Sequence, residues 1–303
     1  MGNRTVTTGS VAGFAVRSAI ALRYLRSGGS EPLEIVESDG ERVPDGPLLI
    51  EYLPRPDNPF HARIHTDGDA IDLWIEGLGW YRVDPGAGRV EVPAGVDEIA
   101  REERLWGIPT SLCAIARGDH PLHAATVEVE GRALLLAGPG RHGKTTLAAA
   151  SHAHGFRLLS EDATICRPGA TPTVVPGPAL LRLRRDSYER LHVPDVELVG
   201  EDPDRLHLAI SRDRRGTTEP VPIAGLVLLG VGDEMHAERV DATSAIQQLW
   251  HLSFWLPGDE GRANAFARVA DLASRVPVWR LTRPMRYETL DVVLEELERL
   301  AIG

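Results

Sequence analysis

The sequence predicts an α/β fold in which a smaller β-rich N-terminal domain precedes a larger domain built on a mixed sheet. Residues 3–92 contain short apolar runs separated by turn residues, a pattern typical of an antiparallel meander. From residue 122 onward, apolar strand-like runs alternate with segments of helical spacing, as in α/β sheet domains. We therefore divide the chain into residues 1–117, which end in a linking helix, and residues 118–303.

The composition is that of a globular protein from a reducing compartment. The chain has 303 residues, of which 43% are hydrophobic and 25% are charged. No apolar run approaches the roughly 18 residues of a membrane span, and residues 1–8 lack a signal-peptide pattern. The only cysteines, Cys113 and Cys166, do not suggest a disulfide framework. We expect a cytoplasmic protein with no membrane partner, and the sequence leaves open whether it forms a homo-oligomer.

The net charge of −11 argues against a general nucleic-acid-binding protein, because phosphate backbones require a basic surface. Two clusters of arginines nevertheless stand out, and near a phosphate site they could hold an acidic substrate or a transferring phosphoryl group. The clusters are Arg182, Arg184 and Arg185, and Arg212, Arg214 and Arg215.

In the N-terminal part, turn signals delimit the predicted strands. The apolar runs are 33–36, 48–53, 62–65, 71–75, 80–83 and 90–92. Residues 11–25 are apolar-rich, but their periodicity does not distinguish helix from strand. Residues 99–116 have helical spacing interrupted by Pro109, so two helices with a boundary at Ile108 are favoured over one kinked helix. His61 and His65 would share a face of a strand, but without a third ligand two surface histidines are favoured over a metal site.

In the C-terminal part, a hairpin precedes the first alternation of strand and helix. The predicted strands are 122–127, 132–137, 156–159, 163–166, 179–183, 222–231, 236–240 and 276–281, and the predicted helices are 144–154, 185–191, 241–255, 264–273 and 287–301. Residues 192–218 are polar and rich in proline and arginine, which suggests a mobile flap.

A glycine-rich stretch joins the apolar strand 132–137 to the helix that follows. It fits the pattern G-x-x-x-x-G-K-[ST] of phosphate-binding P-loops. Its glycines would let backbone N–H groups converge on a polyphosphate at the positive end of the helix. The predicted nucleotide-binding residues are Gly138, Pro139, Gly140, Arg141, His142, Gly143, Lys144, Thr145 and Thr146.

Lys144 and Thr145 have assigned roles in this pattern. The lysine would place its charge on the β and γ phosphates, and the threonine hydroxyl would bind Mg²⁺. The chain has 33 basic side chains from Lys and Arg, and Lys144 is the only lysine among them. Because the only lysine of the chain lies at the motif's lysine position, a functional phosphate-binding loop is favoured over a chance match to the motif.

Two adjacent carboxylates, Glu161 and Asp162, follow the next predicted strand. In a parallel sheet that strand end faces the same crevice as the glycine-rich loop. One carboxylate there can hold Mg²⁺, and the other can accept the proton of an attacking hydroxyl.

The stretch from His123 to Asp162 resembles the HPr kinase family, whose nucleotide core is shared with phosphoenolpyruvate carboxykinases. The points of similarity are His123-Ala124 before a hairpin, the P-loop strand, a short helix ending in glycine, and an acidic pair at the very next strand. Val276-Pro277-Val278-Trp279-Arg280-Leu281 before the last helix also resembles that group. The resemblance covers about residues 122–300 and implies a mixed-sheet P-loop core of this type.

The resemblance also implies roles for individual residues. Lys144 and Thr145 would bind phosphate and metal, and Asp162 would be a second metal ligand. Glu161 would be the catalytic base, and His123 would tune that carboxylate and contact the γ-phosphate region. Two departures matter: Pro139-Gly140 replace an acidic residue and serine, and Glu161 replaces aspartate. Carboxykinase activity itself is disfavoured, because those enzymes use additional lysines and this chain has none.

These features predict an ATP-dependent, Mg²⁺-requiring kinase that transfers the γ-phosphoryl group to a hydroxyl, with a serine of a small protein or peptide as the expected acceptor. Arg205, or one of Arg212, Arg214 and Arg215, could contact the transferring phosphoryl group. The sequence leaves two alternatives open. The acceptor could be a small molecule such as a polyol or an amino acid, or the chain could be a nucleotide-binding regulatory module without transfer chemistry.

Overall fold

The computed structural model describes residues 6–38, 44–54, 60–256 and 258–303. Within them the chain forms an α/β structure with mixed sheets. The strands are β1 (Thr7–Val11), β2 (Phe14–Ser18), β3 (Glu31–Ser38), β4 (Leu48–Tyr52), β5 (Ala62–Asp67), β6 (Ala70–Ile75), β7 (Gly79–Asp84), β8 (Arg89–Pro93), β9 (His120–His123), β10 (Ala125–Val129), β11 (Arg132–Ala137), β12 (Arg157–Ser160), β13 (Ala163–Arg167), β14 (Thr173–Val175), β15 (Leu180–Leu183), β16 (Val196–Glu201), β17 (Leu206–Ile210), β18 (Val221–Val231), β19 (His236–Arg239) and β20 (Val278–Arg283). The helices are α1 (Glu98–Leu105), α2 (Ile108–Arg117), α3 (Lys144–His154), α4 (Arg185–Leu191), α5 (Ala242–Leu252), α6 (Asp259–Arg275) and α7 (Leu290–Ile302), with a 3₁₀ turn at Tyr287–Thr289.

An eight-stranded sheet occupies the N-terminal part, with the order β1-β2-β3-β8-β7-β6-β5-β4. Strands β4 to β8 form the predicted antiparallel meander, whereas β3 pairs parallel with both β2 and β8. The segment whose periodicity was ambiguous begins with β1 and β2, which are joined by a turn at Ala12-Gly13 with positive φ at both residues.

Two helices follow this sheet. The Asp97 side chain caps α1 by accepting a hydrogen bond from the backbone N–H of Ala100 at 2.8 Å. Helix α2 begins at Ile108, with Pro109 in its first turn, and ends at Gly118 in the left-handed conformation. The predicted break between two helices is confirmed, because proline fits the first turn of a helix but not its interior.

A nine-stranded sheet forms the centre of the C-terminal part. Its main path is β12-β10-β11-β18-β14-β13-β9, and β20 joins β18 to β19. Strands β11, β18 and β20 run parallel, and the remaining pairs are antiparallel. Because β12 and β11 both pair antiparallel with β10, they point the same way and their carboxyl ends lie at the same edge. Helix α3 leaves the sheet at this edge, directly after β11 and its loop.

The segment 192–218 is not a loop-like flap. It contains β16 and β17, which pair with each other and with β15 in a three-stranded antiparallel sheet. Leu206, Leu208 and Ile210 on β17 are buried in the core. The prediction of a mobile flap is wrong. Polar residues surround the short apolar alternation of β17, so the sequence pattern does not reveal the strands.

The two predicted domains share a hydrophobic core. The buried cluster that includes Tyr24, Leu33 and Tyr81 also contains Ile165 and Leu180 from the C-terminal part. The predicted domain boundary at residue 117 therefore does not divide this cluster into two separate cores.

Arg26 is a buried polar link between the two parts, with 3% of its surface exposed. Its guanidinium donates to the backbone carbonyls of Leu158 at 2.8 Å, Leu159 at 3.3 Å and Gly177 at 2.7 Å. It also donates to the carbonyl of Arg215. Burial lowers the pKa of Arg26, and the positive charges of Arg157 and Arg215 act in the same direction.

Across the described ranges, no helix combines the length and apolar character needed to cross a membrane.

Candidate functional site

The glycine-rich loop (residues 138–143) lies between the buried end of β11 and the start of α3. Gly143 caps the helix in the left-handed conformation with φ 74°, and no side chain bonds the first N–H groups of the helix. A Cβ on Gly138 would lie 3.0 Å from the carbonyl oxygen of Leu229 on β18. Both glycines are thus required by the backbone, and the positive end of α3 is left open to an anion.

Lys144 is folded over this loop. Its Nζ donates to the carbonyl oxygens of Gly138 at 2.8 Å and Pro139 at 3.3 Å. Burial lowers the pKa of Lys144, and the carboxylates of Asp162 and Glu161 partly offset that effect. The sole ammonium of a lysine side chain therefore lies among the loop carbonyls and within the field of both predicted acids.

Glu161 is buried at the end of β12, with 5% of its surface exposed. Its Oε1 accepts a hydrogen bond of 2.8 Å from the Thr145 hydroxyl at the start of α3. Its Oε2 accepts two from Arg182, from Nη2 at 2.9 Å and Nε at 3.1 Å. Both carboxylate oxygens of Glu161 are therefore engaged.

Asp162 has a more open environment, and its side chain is 48% exposed. Its Oδ1 lies 3.3 Å from Nδ1 of His123, and its Oδ2 lies 3.2 Å from Nη2 of Arg182. Desolvation by neighbouring protein atoms acts to raise the pKa of Asp162. The positive charges of Arg182, His123 and Lys144 have the larger effect, so the pKa is lowered overall. Asp162 is therefore held as a carboxylate that solvent can still reach.

Of the predicted catalytic and metal-binding residues, all but Lys144 form one series of contacts, together with Arg182. Thr145 contacts Glu161, Arg182 joins Glu161 to Asp162, and Asp162 contacts His123. His123 reaches this position because β9 pairs with β13, which begins directly after the acidic pair, in a register that places His123 opposite Ala163.

The remaining loop residues fall into two groups. Pro139, Gly140 and Arg141 are exposed, and Arg141 adopts a positive φ of 64°. His142 turns toward the sheet instead, since its Nδ1 lies 3.1 Å from the carbonyl oxygen of Leu229. Thr146 is half-buried in the first turn of α3.

Sequence reasoning did not foresee how Arg182 is used. The arginine was grouped with Arg184 and Arg185, but only Arg182 bonds the acidic pair, whereas Arg185 pairs with Glu201 on the surface. The negative charge of Glu161, and that of Asp162, raises the pKa of Arg182, although burial acts in the opposite direction. Its signal in the sequence was its place on a short apolar strand, in which a charged residue must find a partner.

The second arginine cluster is used elsewhere. Arg214 pairs with Asp195 at 3.3 Å, and Arg215 donates to the carbonyl oxygens of Ile210 at 2.6 Å and Leu25 at 3.0 Å. Arg205 is the predicted candidate that lies near the site. Its Nη1 donates to the carbonyl oxygen of Arg182 at 3.3 Å, and its charge lowers the pKa of Lys144, though less than burial does.

The Thr145 hydroxyl and the carboxylates of Glu161 and Asp162 offer oxygen donors to a metal, with the ring nitrogen of His123 next to Asp162. This donor set fits Mg²⁺, which prefers oxygen and binds through one or two carboxylates together with substrate phosphates and water. In the described ranges, this site included, no group of three or more His, Cys, Asp or Glu side chains is arranged to hold a metal ion, so phosphate oxygens and water would have to complete the coordination here.

The two N-terminal histidines contact oxygen atoms of the protein. His61 Nε2 lies 3.1 Å from Glu51 Oε1, and His65 Nδ1 lies 3.1 Å from the carbonyl oxygen of Gly46.

A cavity of about 410 Å³ lies away from the acidic pair. It is lined by α2, the start of α6 and residues 254–256, and none of the predicted site residues borders it. The predicted site residues are therefore grouped by their contacts with one another and not by this cavity.

No family model matches the chain, and no curated protein matches it either. Among solved structures, the HPr(Ser) kinase/phosphatase from Coxiella burnetii is similar over 60% of this chain and 97% of its own, with 10% sequence identity and a TM-score of 0.32. No functional conclusion follows from a TM-score this low. The proposed function rests on the residues of the site instead.

Proposed function

We propose that this protein is an ATP-dependent kinase that transfers the γ-phosphoryl group to a hydroxyl, with a serine of a small protein or peptide as acceptor. The observation that carries the proposal is the chain of contacts from Thr145 through Glu161, Arg182 and Asp162 to His123, beside the only lysine. These contacts bring the start of α3, which follows the glycine-rich loop, next to two carboxylates, and this supports a common site for a triphosphate and a metal ion.

The glycine-rich loop would hold the triphosphate. Its backbone N–H groups and the open end of α3 supply donors to phosphate oxygens. Lys144 donates to loop carbonyls in this structure. With nucleotide bound, it would instead donate to the β and γ phosphates, because an ammonium bonds a charged phosphate oxygen more strongly than a neutral carbonyl oxygen.

The burial of the two acids supports an exchange of the roles that the resemblance implies. A base must reach the acceptor hydroxyl, and Asp162 is half-exposed beside His123, whereas Glu161 is buried with both oxygens bonded. We therefore assign the base to Asp162 and the metal side of the site to Glu161 with Thr145. His123 would orient the Asp162 carboxylate.

When bound, Mg²⁺ would neutralise charge on the phosphate oxygens. In the transfer step, the acceptor oxygen forms a bond to the γ phosphorus while the bond from that phosphorus to the β-phosphate oxygen breaks. The acceptor proton passes to Asp162, and ADP leaves with the electron pair of the broken bond.

The sole lysine permits a direct test of nucleotide binding. An acyl-phosphate derivative of ATP, which acylates lysines near the triphosphate, should label Lys144 and be displaced by excess ATP. The N-terminal amine, the other primary amine, serves as an internal control in the same mass spectrum. Labelling that ATP does not displace would contradict the proposal.

Transfer itself is tested with γ-labelled ATP and candidate acceptors: small proteins, peptides, polyols and amino acids. Label that appears on a peptide serine supports the proposed acceptor, and label on a small molecule supports the first alternative. Competition by ATP at Lys144 without transfer to any acceptor would support a regulatory module. A cytoplasmic location and the state of oligomerisation belong to the proposal and need their own measurements.

A further inference from the structure

The last residue of β20 is a buried arginine beside the glycine-rich loop. Arg283 is 4% exposed. It lies on the same face of the sheet as Leu281, two positions earlier, which belongs to the same buried cluster as Leu147 of α3. Because β20 runs parallel to β18, and β18 to β11, the ends of these strands lie at the edge from which α3 leaves the sheet. Arg283 therefore approaches the loop from the side of β11 opposite to β12 and its acidic pair.

The guanidinium of Arg283 contacts the backbone of the loop. Its Nη2 donates to the carbonyl oxygen of His142 at 3.0 Å, and the same nitrogen would lie 3.0 Å from a Cβ on Gly143. His142 is held at two further atoms. Its backbone N–H donates to the carbonyl oxygen of Pro139 at 3.4 Å, and its Nδ1 lies 3.1 Å from the carbonyl oxygen of Leu229. The peptide group between residues 142 and 143 is therefore fixed from its carbonyl side.

This contact determines where the other end of the same peptide group points. The described residues include no cis peptide bond, and in a trans peptide the C=O and N–H groups point in opposite directions. Since the carbonyl of His142 faces Arg283, the N–H of Gly143 faces away from it. That N–H donates to no protein atom in the described ranges, and it directly precedes the first N–H groups of α3. It is thus available to an anion at the positive end of the helix.

Arg283 also lacks a counter-ion within the part of the chain that the structure describes. Its Nε donates to no protein atom there, and no carboxylate pairs with its guanidinium. Burial lowers the pKa of Arg283, and no neighbouring acid offsets this effect. A buried charge without a partner is unfavourable. A polyphosphate bound on the other side of the 142–143 peptide group would supply the missing negative charge.

We propose that Arg283 is a positioning residue of the phosphate-binding loop, which holds the His142–Gly143 peptide group so that the N–H of Gly143 donates to a bound polyphosphate. This inference rests on the proposed function and adds to it a residue outside the motif on which nucleotide binding depends. The guanidinium and the polyphosphate lie on opposite sides of one peptide group, so each strengthens the hydrogen bond that the other makes with it. Without the guanidinium, the peptide group is free to rotate and its bond to phosphate weakens.

The sequence allows this one N–H group to be observed by NMR. Histidine is followed by glycine only at His142-Gly143 and His154-Gly155. Labelling with ¹³C-carbonyl histidine and ¹⁵N-glycine therefore selects two amide signals. Gly155, which caps the far end of α3 and donates to the carbonyl oxygen of His152, is the internal control. Addition of ATP with Mg²⁺, or of inorganic tripolyphosphate, should move the Gly143 amide proton downfield and leave that of Gly155 in place, because a hydrogen bond to a charged oxygen deshields the proton.

Substitutions of Arg283 test its role directly. By titration calorimetry, R283Q should bind ATP with Mg²⁺ about 10- to 100-fold more weakly than wild type, and its Gly143 signal should move much less. R283K keeps the charge and a donor but not the planar guanidinium, so it should recover part of both effects. R280Q is the matched control, because Arg280 lies on the same strand but pairs with Glu238 on the surface. It should behave as wild type in both measurements.

Thermal unfolding of each variant confirms that it is folded before its affinity is compared. If a folded R283Q keeps the wild-type affinity, or shows the full movement of the Gly143 signal, the role of Arg283 is refuted. Should R283Q be unfolded, the wild-type protein still decides, because ATP binding by calorimetry without movement of the Gly143 signal refutes the inference alone. A wild-type protein that binds neither ATP nor tripolyphosphate refutes the proposed function as well, so the two failures are distinguishable.

Discussion

The two adjacent carboxylates show how much a residue's role depends on its surroundings. Glu161 and Asp162 are one position apart, but the first is buried against Thr145 and Arg182 and the second is half-exposed beside His123. A carboxylate with both oxygens bonded is well suited to a fixed structural or metal-binding task. One that keeps contact with solvent can accept a proton from an incoming hydroxyl.

This difference in burial predicts that isosteric substitutions of the two acids affect different properties. Asp162→Asn should lower turnover by about 10²- to 10⁴-fold, the usual worth of a general base, with little change in the affinity for ATP and Mg²⁺. Glu161→Gln should instead weaken the dependence of ATP affinity on Mg²⁺. Single-turnover transfer and calorimetry with and without EDTA separate the two. The reverse pattern would restore the assignment that the resemblance implies.

Individual site residues differ in how far the sequence reveals them. A motif and a short spacing identify Lys144, Thr145, Glu161 and Asp162, because a loop and the next strand place them by local geometry. Arg182 has no such signal, since its position depends on how β15 pairs with β17 and meets the acidic pair. Which acid is buried is likewise a consequence of tertiary packing.

At the level of elements, the last residue of the glycine-rich loop is left-handed and crowded. Gly143 has a φ of 74°, and a Cβ there would lie 3.0 Å from Nη2 of Arg283. That guanidinium also donates to the carbonyl oxygen of His142 at 3.0 Å, so it supports the loop from the end of β20. Crowding and backbone strain therefore coincide at one position.

We expect Gly143→Ala to lower the free energy of unfolding by about 1–2 kcal/mol, because alanine is strained in the left-handed conformation. The substitution should also weaken ATP binding. Gly131 in the β10–β11 turn is the matched control, because it has the same φ of 74° and no atom within 4 Å of its Cβ position. Gly131→Ala should cost similar stability by urea unfolding but leave ATP binding intact. Equal losses of ATP affinity in both variants would count against a role for the loop.

Most elements were accessible to prediction because their patterns are local. The meander, the helix break at Pro109 and the strand-loop-helix unit around Lys144 follow from turn residues, proline geometry and glycine spacing. The segment 192–218 was not, because β16 and β17 have few apolar residues and are stabilised by β15 and by α1 above them. Pairing between distant segments overrides local polarity there.

At the scale of the molecule, a buried histidine joins the two parts of the chain. His207 Nδ1 lies 2.6 Å from Glu103 of α1, and its Nε2 lies 3.1 Å from Asp202. The pKa of His207 is raised, chiefly by its bond to Glu103. Tyr24, whose hydroxyl also donates to Glu103, has a pKa raised by burial and stays neutral.

The raised pKa of His207 makes the stability depend on pH in a defined direction. Its contribution should be fully present below the ordinary pKa of 6.5 and should be lost as the pH rises through the raised value. The free energy of unfolding of wild type should therefore exceed that of His207→Gln by more at pH 6 than at pH 9. His236→Gln, at a histidine whose side chain is 69% exposed, should show no such trend. A difference that grows with pH would contradict the assignment.

The carbonyls that Arg26 satisfies belong to Leu158 and Leu159, just ahead of the acidic pair. On the ribosome this arginine is made long before strand β12, so its charge must remain hydrated until the later segment arrives and closes around it. A fragment that begins at residue 118 would lack this guanidinium, and its carbonyls would turn to water or to other chains. We therefore expect residues 118–303 not to fold alone: truncation libraries should yield soluble protein only when Arg26 and the strands before it are retained.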